Sequence, residues 1–253
     1  MLPVEGLGQP LHYFETLGST NDLAKELAAS GASHGTLVVA DEQTAGRGRG
    51  DRKWLTSKGG GLALSLVLRP EEAEIATASG VGCMTALAIC DALQEEGIKA
   101  QIKWPNDVLI AERKVAGVLV EAAWHGMELA WTVVGVGINV RSESTPPIEQ
   151  IEYPATSVDA EVGHKVDRVL FLRTLLKYFA ERWIHLGSDV IARTIDERLA
   201  FRGQEIELVG AGKALRGRLQ GVRPNGQLRL LTAKGEMDIA AGETRLRPIT
   251  TSP

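Results

Sequence analysis

The sequence predicts an α+β fold in which a larger mixed domain precedes a small all-β domain. Over the first 200 residues, segments with helical period alternate irregularly with segments of strand period. After about Phe201 the pattern changes to short alternating runs separated by glycine-containing turns. The chain has 253 residues, of which 44% are hydrophobic and 24% charged, so it can bury a sizeable core. We therefore predict one domain over residues 1–200 and a second over residues 201–253.

Four segments have the sequence signals of helices. Ser19-Thr20-Asn21-Asp22 is a capping-box pattern, and an apolar stripe follows it until Gly31. Residues 72–96 are rich in alanine and leucine and end at Gly97, which predicts a long helix. Two further helices are predicted over residues 167–186 and 189–199.

Strands are predicted between and after these helices. The leucines that alternate along residues 62–68 indicate a strand with one fully buried face. The other candidates in the first domain are residues 36–40, 100–104, 115–122 and 129–140, and those in the second are residues 205–209, 215–220, 227–231 and 236–240. Residues 44–53 are too rich in glycine and charge for regular structure. Residues 142–156 form a long irregular stretch, a type of segment that often acts as a lid.

Composition and charge exclude several classes of protein. The net charge of −4 and the pI near 5.8 argue against a general attraction to nucleic acid. No apolar run is long enough for a membrane span, and the first residues lack a secretory pattern, so we expect a cytoplasmic protein. Cys83 and Cys90 are two helical turns apart, too far for a disulfide, and are expected to be buried free thiols. No histidine lies at a metal-ligand spacing from another histidine or a cysteine.

The first candidate functional segment is the glycine–arginine loop, residues 46–54, with the sequence Gly-Arg-Gly-Arg-Gly-Asp-Arg-Lys-Trp. Glycines let backbone N–H groups approach a ligand closely, and the arginines supply fixed positive charge. This combination suits a phosphate or a carboxylate, and Trp54 offers a flat surface for a purine. It matches neither the Walker loop nor the dinucleotide-binding fingerprint. A flexible basic loop, including one that binds nucleic acid, is an equal alternative for this segment alone.

Two further segments place polar side chains at the ends of strands. Lys103-Trp104-Pro105-Asn106-Asp107 carries Asn106 and Asp107 into a tight turn where both can face a pocket, although an ordinary Asx turn has the same pattern. The third segment is Arg113-Lys114-Val115-Ala116-Gly117-Val118-Leu119-Val120-Glu121. Its Lys114 lies at the start of an apolar strand, where an ammonium can neutralise a developing oxyanion or phosphate. Gly117 would allow a ligand to approach that strand. An exposed lysine in an ordinary hairpin is the simpler alternative.

The fourth segment is Gly135-Val136-Gly137-Ile138-Asn139. Two glycines weaken a strand, so they indicate that a neighbouring group passes close to its backbone. Asn139 ends the strand and could hydrogen-bond a ribose or a phosphate.

In their order and spacing, these four segments, together with Ser19-Thr20-Asn21 and Gln43, resemble the catalytic domain of biotin protein ligases. The resemblance extends from about His12 to Pro248. It implies a class II aminoacyl-tRNA-synthetase-like catalytic domain, with a mixed and mostly antiparallel sheet flanked by helices, and a small C-terminal Src-homology-3-like β-barrel. The family loop usually reads Gly-Arg-Gly-Arg-any-Gly-Arg, whereas Gly50 and Asp51 stand here in the reverse order, which puts a negative charge beside the expected anion site.

The resemblance also implies a reaction and the residues that perform it. Members of the family join biotin to ATP as biotinyl-5′-AMP, with Mg²⁺, and pass the biotin to a lysine of a biotin carboxyl carrier protein domain. The implied biotin-binding residues are Ser19, Thr20, Asn21, Gln43, Gly46, Arg47, Gly48, Arg49, Lys114 and Gly117. The implied ATP- or adenylate-binding residues are Arg49, Trp54, Asn106, Lys114 and Asn139. Catalytic roles are implied for Lys114 as the principal cation and for Arg47, Arg49 and Asp107. No Mg²⁺ ligand set is legible, and the 142–156 stretch is expected to close over the adenylate.

Two alternatives and several open questions accompany this hypothesis. A lipoate or octanoate ligase would share the adenylation chemistry but bind an apolar tail. A non-enzymatic nucleic-acid-binding protein would use Arg47, Arg49, Arg52, Lys53 and Lys58, which the net charge opposes. Because 18 residues precede Ser19, no N-terminal winged-helix domain, and no DNA binding through one, is expected. No membrane partner is expected, and both a monomer and a homodimer paired through sheet edges stay open.

Overall fold

The computed structural model describes residues 6–69, 78–126, 128–145, 153–210, 214–242 and 244–249. Within these ranges, the chain forms a seven-stranded sheet and a five-stranded sheet with helices packed around the first. The strands of the first sheet are β1 (Leu11–Leu17), β2 (Leu37–Gln43), β3 (Gly61–Leu68), β4 (Gln101–Lys103), β5 (Asp107–Ile110), β6 (Arg113–His125) and β7 (Glu128–Asn139). The helices are α1 (Thr20–Ala29), α2 (Val81–Glu95), α3 (Val158–Val162), α4 (Arg168–Trp183) and α5 (Asp189–Arg198). The strands of the second sheet are β8 (Glu205–Val209), β9 (Leu215–Val222), β10 (Leu228–Thr232), β11 (Gly235–Ile239) and β12 (Arg245–Pro248).

The seven-stranded sheet is mixed and mostly antiparallel. Its strand order is β1-β2-β3-β7-β6-β5-β4, and β1 pairs with β2 in parallel while every other pairing is antiparallel. The prediction of an α+β fold for this part of the chain is therefore confirmed. The long hairpin of β6 and β7 occupies the middle of the sheet and supplies the surface on which the candidate site is built.

Helices cover both faces of this sheet. Helix α1 packs on one face through a small cluster that includes Ala24, Val38, Val67 and Val133. Helix α2 contacts β4, β5 and β6 on the other face, and α4 and α5 pack against α2. Every residue of β3 is consequently buried, so the prediction of one buried face on this strand was too narrow.

The C-terminal part of the chain forms an antiparallel sheet with the strand order β11-β10-β9-β8-β12. Its two edge strands, β11 and β12, do not pair with each other in the described residues. The sheet shares one continuous hydrophobic cluster with the seven-stranded sheet and its helices, since Ile206, Leu219 and Leu230 belong to the same cluster as Leu87 and Ile102. It is therefore packed on the preceding part of the chain through buried apolar side chains.

Two polar contacts reinforce this packing. Asp196, at the end of α5, accepts a hydrogen bond from the backbone N–H of Val222 at 2.7 Å. Trp104 donates its indole N–H to the carbonyl of Gly226 at 3.0 Å. The second contact joins the C-terminal sheet to the turn that carries Asn106 and Asp107.

Several element predictions need correction. Strands β1, β5 and β12 and helix α3 were missed, because the edge strand β1 has no fully buried face and the other three span only four or five residues. The helix predicted over residues 72–96 appears as α2, which begins at Val81, whereas residues 72–77 lie outside the described ranges. Residues 44–53, predicted to lack regular structure, include a compact hairpin.

Cys83 and Cys90 lie on α2 as buried free thiols, as predicted. Burial raises the pKa of each thiol to about 12. None of the helices in the described ranges combines the length and apolarity needed to cross a bilayer. The same ranges contain no group of three or more histidine, cysteine, aspartate or glutamate side chains placed to hold a metal ion.

Candidate active site

The predicted functional segments meet in one pocket over β6 and β7. Twelve of the predicted site residues line it: Ser19, Thr20, Asn21, Gln43, Arg47, Gly48, Arg49, Trp54, Asn106, Asp107, Lys114 and Gly117. Gly46 lines an adjoining pocket on the other side of the glycine–arginine loop. Residues 118–119 and 135–137 complete the floor. The sequence therefore located most of the residues that come together.

The glycine–arginine loop closes as a hairpin. The backbone N–H of Gly48 donates to the carbonyl of Arg52 at 2.7 Å, and that of Trp54 donates to Gly46 at 3.0 Å. Gly50 stands at the tip with a φ of +62°, a conformation that favours glycine. The reversed order of Gly50 and Asp51 is thus compatible with a tight turn, because the glycine occupies the position with positive φ.

The side chain of Trp54 lies against two glycines of the sheet. A Cβ atom at Gly137 would collide with the indole ring, and one at Gly117 would lie 3.3 Å from Trp54 Cζ3. A Cβ at Gly135 would collide with the side-chain amide of Asn21. The prediction that a neighbouring group passes close to this glycine-containing strand is confirmed, and the groups are the side chains of Trp54 and Asn21.

Hydroxyl and amide groups form one end of the pocket. Gln43 Oε1 accepts hydrogen bonds from the backbone N–H and the hydroxyl of Thr20, at 2.9 and 3.1 Å. Ser65 Oγ donates to Asn21 Oδ1 at 2.6 Å and lies 2.9 Å from Thr20 Oγ1. Ser65 was not predicted as a site residue, and its signal in the sequence is a single polar residue inside the apolar run of β3. It holds the two neighbouring side chains in fixed orientations.

A charged cluster adjoins this polar end, and its centre, Glu121, was also missed. The carboxylate of Glu121 accepts hydrogen bonds from Asn21 Nδ2 at 2.9 Å, from Lys25 Nζ at 3.1 Å and from Arg47 Nη2. Arg47 Nε lies 3.4 Å from Asp22 Oδ1, within ion-pair distance but without a hydrogen bond. Burial opposes ionisation of Glu121, but the hydrogen bonds from Arg47, Asn21 and Lys25 outweigh it and lower its pKa.

Lys114 is held at the pocket from both its side chain and its backbone. Its Nζ lies 2.5 Å from Asp107 Oδ1 and 5.5 Å from the centre of the Trp54 ring. Its backbone N–H donates to the carbonyl of Pro154 at 2.7 Å, and its carbonyl accepts from Thr156 at 2.9 Å. The ammonium therefore reaches the pocket from a residue whose main chain is fixed on both sides.

Arg49 connects the pocket to the C-terminal sheet. Its Nη1 donates to Asn106 Oδ1 at 3.2 Å, and its Nη2 donates to the carbonyls of Ala241 and Thr244, at 3.2 and 3.1 Å, and of Gly242. Burial lowers the pKa of Arg49. The guanidinium thus lies between the Asn106 turn and the connection from β11 to β12.

Asn139 is not among the residues that line the pocket. It is 3% exposed, and its Nδ2 donates to the carbonyl of Thr156 at 3.1 Å. Of the predicted lid, residues 153–156 run beside Lys114 and residues 146–152 lie outside the described ranges. No role was predicted for Lys103 from the sequence. Its Nζ lies 3.6 Å from the centre of the Tyr153 ring. Asn139, Lys114 and Lys103 therefore all contact the 153–156 segment.

The sequence is similar to a known protein family. Residues 13–139 match the model of the biotin/lipoate A/B protein ligase family. The chain is 36% identical over 232 residues to the biotin–[acetyl-CoA-carboxylase] ligase of Paracoccus denitrificans, and the match covers 89% of this chain and 95% of that protein. The chain belongs to the biotin/lipoate A/B protein ligase family. The matched residues carry all of the pocket described above.

Two other members of the family extend the comparison. The bifunctional ligase/repressor BirA of Bacillus subtilis is 38% identical over 183 residues, which are 72% of this chain and 56% of that protein. The chain thus spans only a little more than half of this relative. The structure of the biotin protein ligase from Aquifex aeolicus in complex with biotin and ATP superimposes with a TM-score of 0.79 at 33% identity, covering 95% of this chain and all of that one. The resemblance to biotin protein ligases and the predicted catalytic fold are confirmed.

Proposed function

We propose that this protein is an ATP-dependent, AMP-forming biotin ligase that acts on a biotin carboxyl carrier protein domain. In the first half-reaction, a carboxylate oxygen of biotin attacks the α-phosphorus of ATP and pyrophosphate leaves. In the second, the neutral amine of a carrier lysine attacks the carbonyl carbon of biotinyl-5′-AMP, and AMP leaves as the amine loses its proton. The observation that carries the proposal is one pocket that joins a hydroxyl and amide end to an end lined by Arg49 and Lys114.

The polar end has hydrogen-bonding groups that suit the ureido ring of biotin. Gln43 Oε1 already accepts two hydrogen bonds from Thr20, and Nε2 donates one N–H to Thr56 Oγ1 at 3.3 Å, so Gln43 offers a ligand the second N–H of Nε2. Ser19 Oγ accepts the capping hydrogen bond of α1 at 3.4 Å, which leaves its own hydrogen to donate. Two donors suit a ureido oxygen, whereas the dithiolane ring of lipoate has no comparable acceptor. This arrangement favours biotin over the lipoate alternative.

The other end of the pocket reduces the repulsion between two anions. A carboxylate and a triphosphate must approach each other, and fixed positive groups in a pocket stabilise the charge that develops between them. Lys114 presents its ammonium there, held by Asp107. The glycine–arginine loop adds backbone N–H groups, and Arg49 lies next to Asn106. We assign Lys114 the principal catalytic role, with Arg49 and Asn106 binding the nucleotide and Trp54 packing on the adenine.

Magnesium fits this site as an ion that arrives with ATP. Of the described residues that line the pocket, Asp107 alone carries a carboxylate, and Mg²⁺ in nucleotide sites often has one or two carboxylates besides phosphate and water. Asp107 would hold the ion, with Asn106 beside it. When bound, Mg²⁺ offsets charge on the phosphates. Asp107 has a further task without the ion, because it positions the Lys114 ammonium.

We assign residues 1–200 to a biotin- and ATP-binding catalytic domain and residues 201–253 to a small C-terminal domain of the Src-homology-3-like type. The antiparallel order of the second sheet supports this assignment. The 142–156 stretch is proposed as a cover for the adenylate, supported by the backbone hydrogen bonds between Lys114 and the 153–156 segment. The name of the Paracoccus denitrificans relative, biotin–[acetyl-CoA-carboxylase] ligase, supports an acetyl-CoA carboxylase carrier as the partner.

The test of the proposed function is exchange of labelled pyrophosphate into ATP by the purified protein with Mg²⁺ and without carrier. Exchange that requires biotin and is absent with lipoate is the expected result. A biotin carboxyl carrier domain should then become labelled in the presence of biotin and ATP. Exchange supported only by lipoate would establish the other branch of the family. Absence of exchange with both acids, together with salt-dependent oligonucleotide binding, would favour the nucleic-acid-binding alternative.

A further inference from the structure

Glu121 joins parts of the pocket that belong to different elements. It lies on β6, and its carboxylate contacts Asn21 and Lys25 of α1 and Arg47 of the glycine–arginine loop. Glu121 does not line the main pocket and faces the adjoining one behind the loop. It therefore acts on the site through other residues.

The two carboxylate oxygens of Glu121 divide these contacts. Oε2 is shared by Asn21 Nδ2, at 2.9 Å, and Arg47 Nη2, while Oε1 accepts from Lys25 Nζ at 3.1 Å. The oxygen of the Asn21 amide accepts from Ser65, and the amide occupies the space that a side chain at Gly135 would need. The orientation of Asn21 and the position of Arg47 consequently depend on the same oxygen atom.

The charges in this cluster balance locally. Asp22 and Glu121 carry two negative charges and Lys25 and Arg47 two positive charges, all within 3.4 Å of a partner. The guanidinium of Arg47 is thus compensated by carboxylates of the protein itself. This differs from Arg49, whose described partners are neutral oxygens. The side chain of Arg47 is better suited to fastening the loop than to neutralising a bound phosphate.

We infer that Glu121 is a positioning residue that fastens the glycine–arginine loop over the biotin end of the pocket through Arg47 and orients Asn21 in the same site. The inference rests on the proposed biotin ligase function. The side chains of Glu121 and Arg47 are 26% and 37% exposed, and ion pairs at that exposure contribute little to overall stability. Loss of the carboxylate charge should therefore loosen the loop without unfolding the protein.

The variant Glu121→Gln tests this inference, because the amide keeps an oxygen that accepts from Asn21 but loses the charge that holds Arg47. The matched control is Glu207→Gln, which removes an ion pair with Arg216 at 2.8 Å from the C-terminal sheet, at a similar exposure of 23%. Kinetics of pyrophosphate exchange give KM for biotin, KM for ATP and kcat. Trypsin cleavage after Arg47, Arg49, Arg52 and Lys53, mapped by mass spectrometry, reports the loop itself without any substrate.

We expect Glu121→Gln to raise KM for biotin about tenfold, the size of effect typical for loss of one charge-assisted hydrogen bond, with kcat within about threefold of wild type. Cleavage in the loop should become about fivefold faster, since cleavage follows the population of opened loop, and Glu207→Gln should change neither quantity. Because both substitutions remove the contact between Arg47 and Glu121 that holds the loop, Glu121→Gln should raise KM for biotin little further in a protein that already carries Arg47→Met.

Three results would overturn the inference. The first is unchanged KM for biotin and unchanged cleavage in Glu121→Gln. The second is a Glu121→Gln variant in which thermal stability and kcat fall together and the lower stability explains the lower kcat. Glu121 would then have a purely structural role. The third is additive effects of Arg47→Met and Glu121→Gln. A wild-type protein without biotin-dependent exchange would instead refute the proposed function, and the cleavage assay would still decide whether Glu121 holds the loop.

Discussion

The indole ring of Trp54 occupies the space that a side chain at residue 137 would need. Trp54 is the last residue of the glycine–arginine loop, and Gly137 lies near the end of β7. This contact therefore packs the loop against the β6–β7 hairpin in the middle of the sheet. The contact also explains why a strand buried on both faces contains a glycine. Here the absence of a side chain serves the packing of the site.

Substituting Gly137→Ala should therefore displace Trp54. Overpacking of a filled site costs roughly 1–3 kcal/mol in the free energy of unfolding, and the displaced indole should also slow biotin-dependent pyrophosphate exchange by at least about tenfold. Chemical denaturation and the exchange assay measure the two effects. Gly18→Ala is the control, since no heavy atom lies within 4 Å of the added methyl group. Wild-type stability and activity in Gly137→Ala would contradict the packing described here.

The Lys114 ammonium should be required for adenylate formation. Removal of a single preorganised group that stabilises developing charge lowers kcat by about 10²–10³-fold, and we expect Lys114→Ala to fall in that range. Lys99→Ala removes an exposed lysine near the start of β4 and should behave as wild type. A value for Lys114→Ala within about threefold of wild type would remove Lys114 from the catalytic role.

The sequence predicted those residues of the site whose local pattern is unusual. Lys114 begins an apolar strand, and glycines interrupt β7, so each stands out against its neighbours. Glu121 and Ser65 do not stand out in the sequence, because their roles come from contacts with Asn21. These contacts join residues that lie 100 positions apart for Glu121 and 44 positions apart for Ser65. Nothing in the loop sequence indicated that Arg49 reaches carbonyls nearly 200 residues away. Asn139 has a distinctive position at a strand end, but its amide is used by Thr156.

Strands β1, β5 and β12 were not predicted because their local sequence has no distinctive pattern. Strand β1 lies at the edge of the sheet and has no buried residue, so its sequence lacks the regularly spaced leucines from which β3 was predicted. Strands β5 and β12 have four residues each, too few for a periodic pattern. Pairing with β2 and β8, which lie elsewhere in the chain, defines β1 and β12, whereas β5 is defined by its pairing with the neighbouring strands β4 and β6.

The two cysteines should be unreactive in the folded protein. Burial raises the pKa of both thiols from an ordinary value of 9.0 to about 12, and the thiolate is the reactive form. At pH 8, a thiol-specific disulfide reagent should modify the native protein at least about 100-fold more slowly than the protein in denaturant. Prompt modification of one thiol would show that this side of α2 is accessible.

The same shift gives these thiols a stability effect with a defined sign. In the unfolded chain they ionise above pH 9, whereas in the folded protein they stay protonated until about pH 12. Their contribution to stability is therefore complete below pH 9 and is lost as pH rises toward 12. Between pH 9 and about pH 12, the free energy of unfolding of Cys90→Ala should therefore fall less steeply with pH than that of the wild-type protein.

Ser65→Ala should weaken biotin binding without preventing adenylate formation. The hydroxyl is fully buried, donates to Asn21 Oδ1 at 2.6 Å and lies 2.9 Å from Thr20 Oγ1. Its loss leaves Asn21 Oδ1 without its hydrogen-bond donor, while the Thr20 hydroxyl still donates to Gln43. Such a loss costs about 1–3 kcal/mol, which should appear as lower stability and as a KM for biotin raised by roughly tenfold. The KM for ATP should change less, because Ser65 contacts only residues of the polar end. Ser30→Ala, at an exposed serine that follows α1, is the control. Equal increases in both KM values would show that Ser65 supports the whole sheet, since only a local effect on Thr20 and Asn21 separates the two substrates.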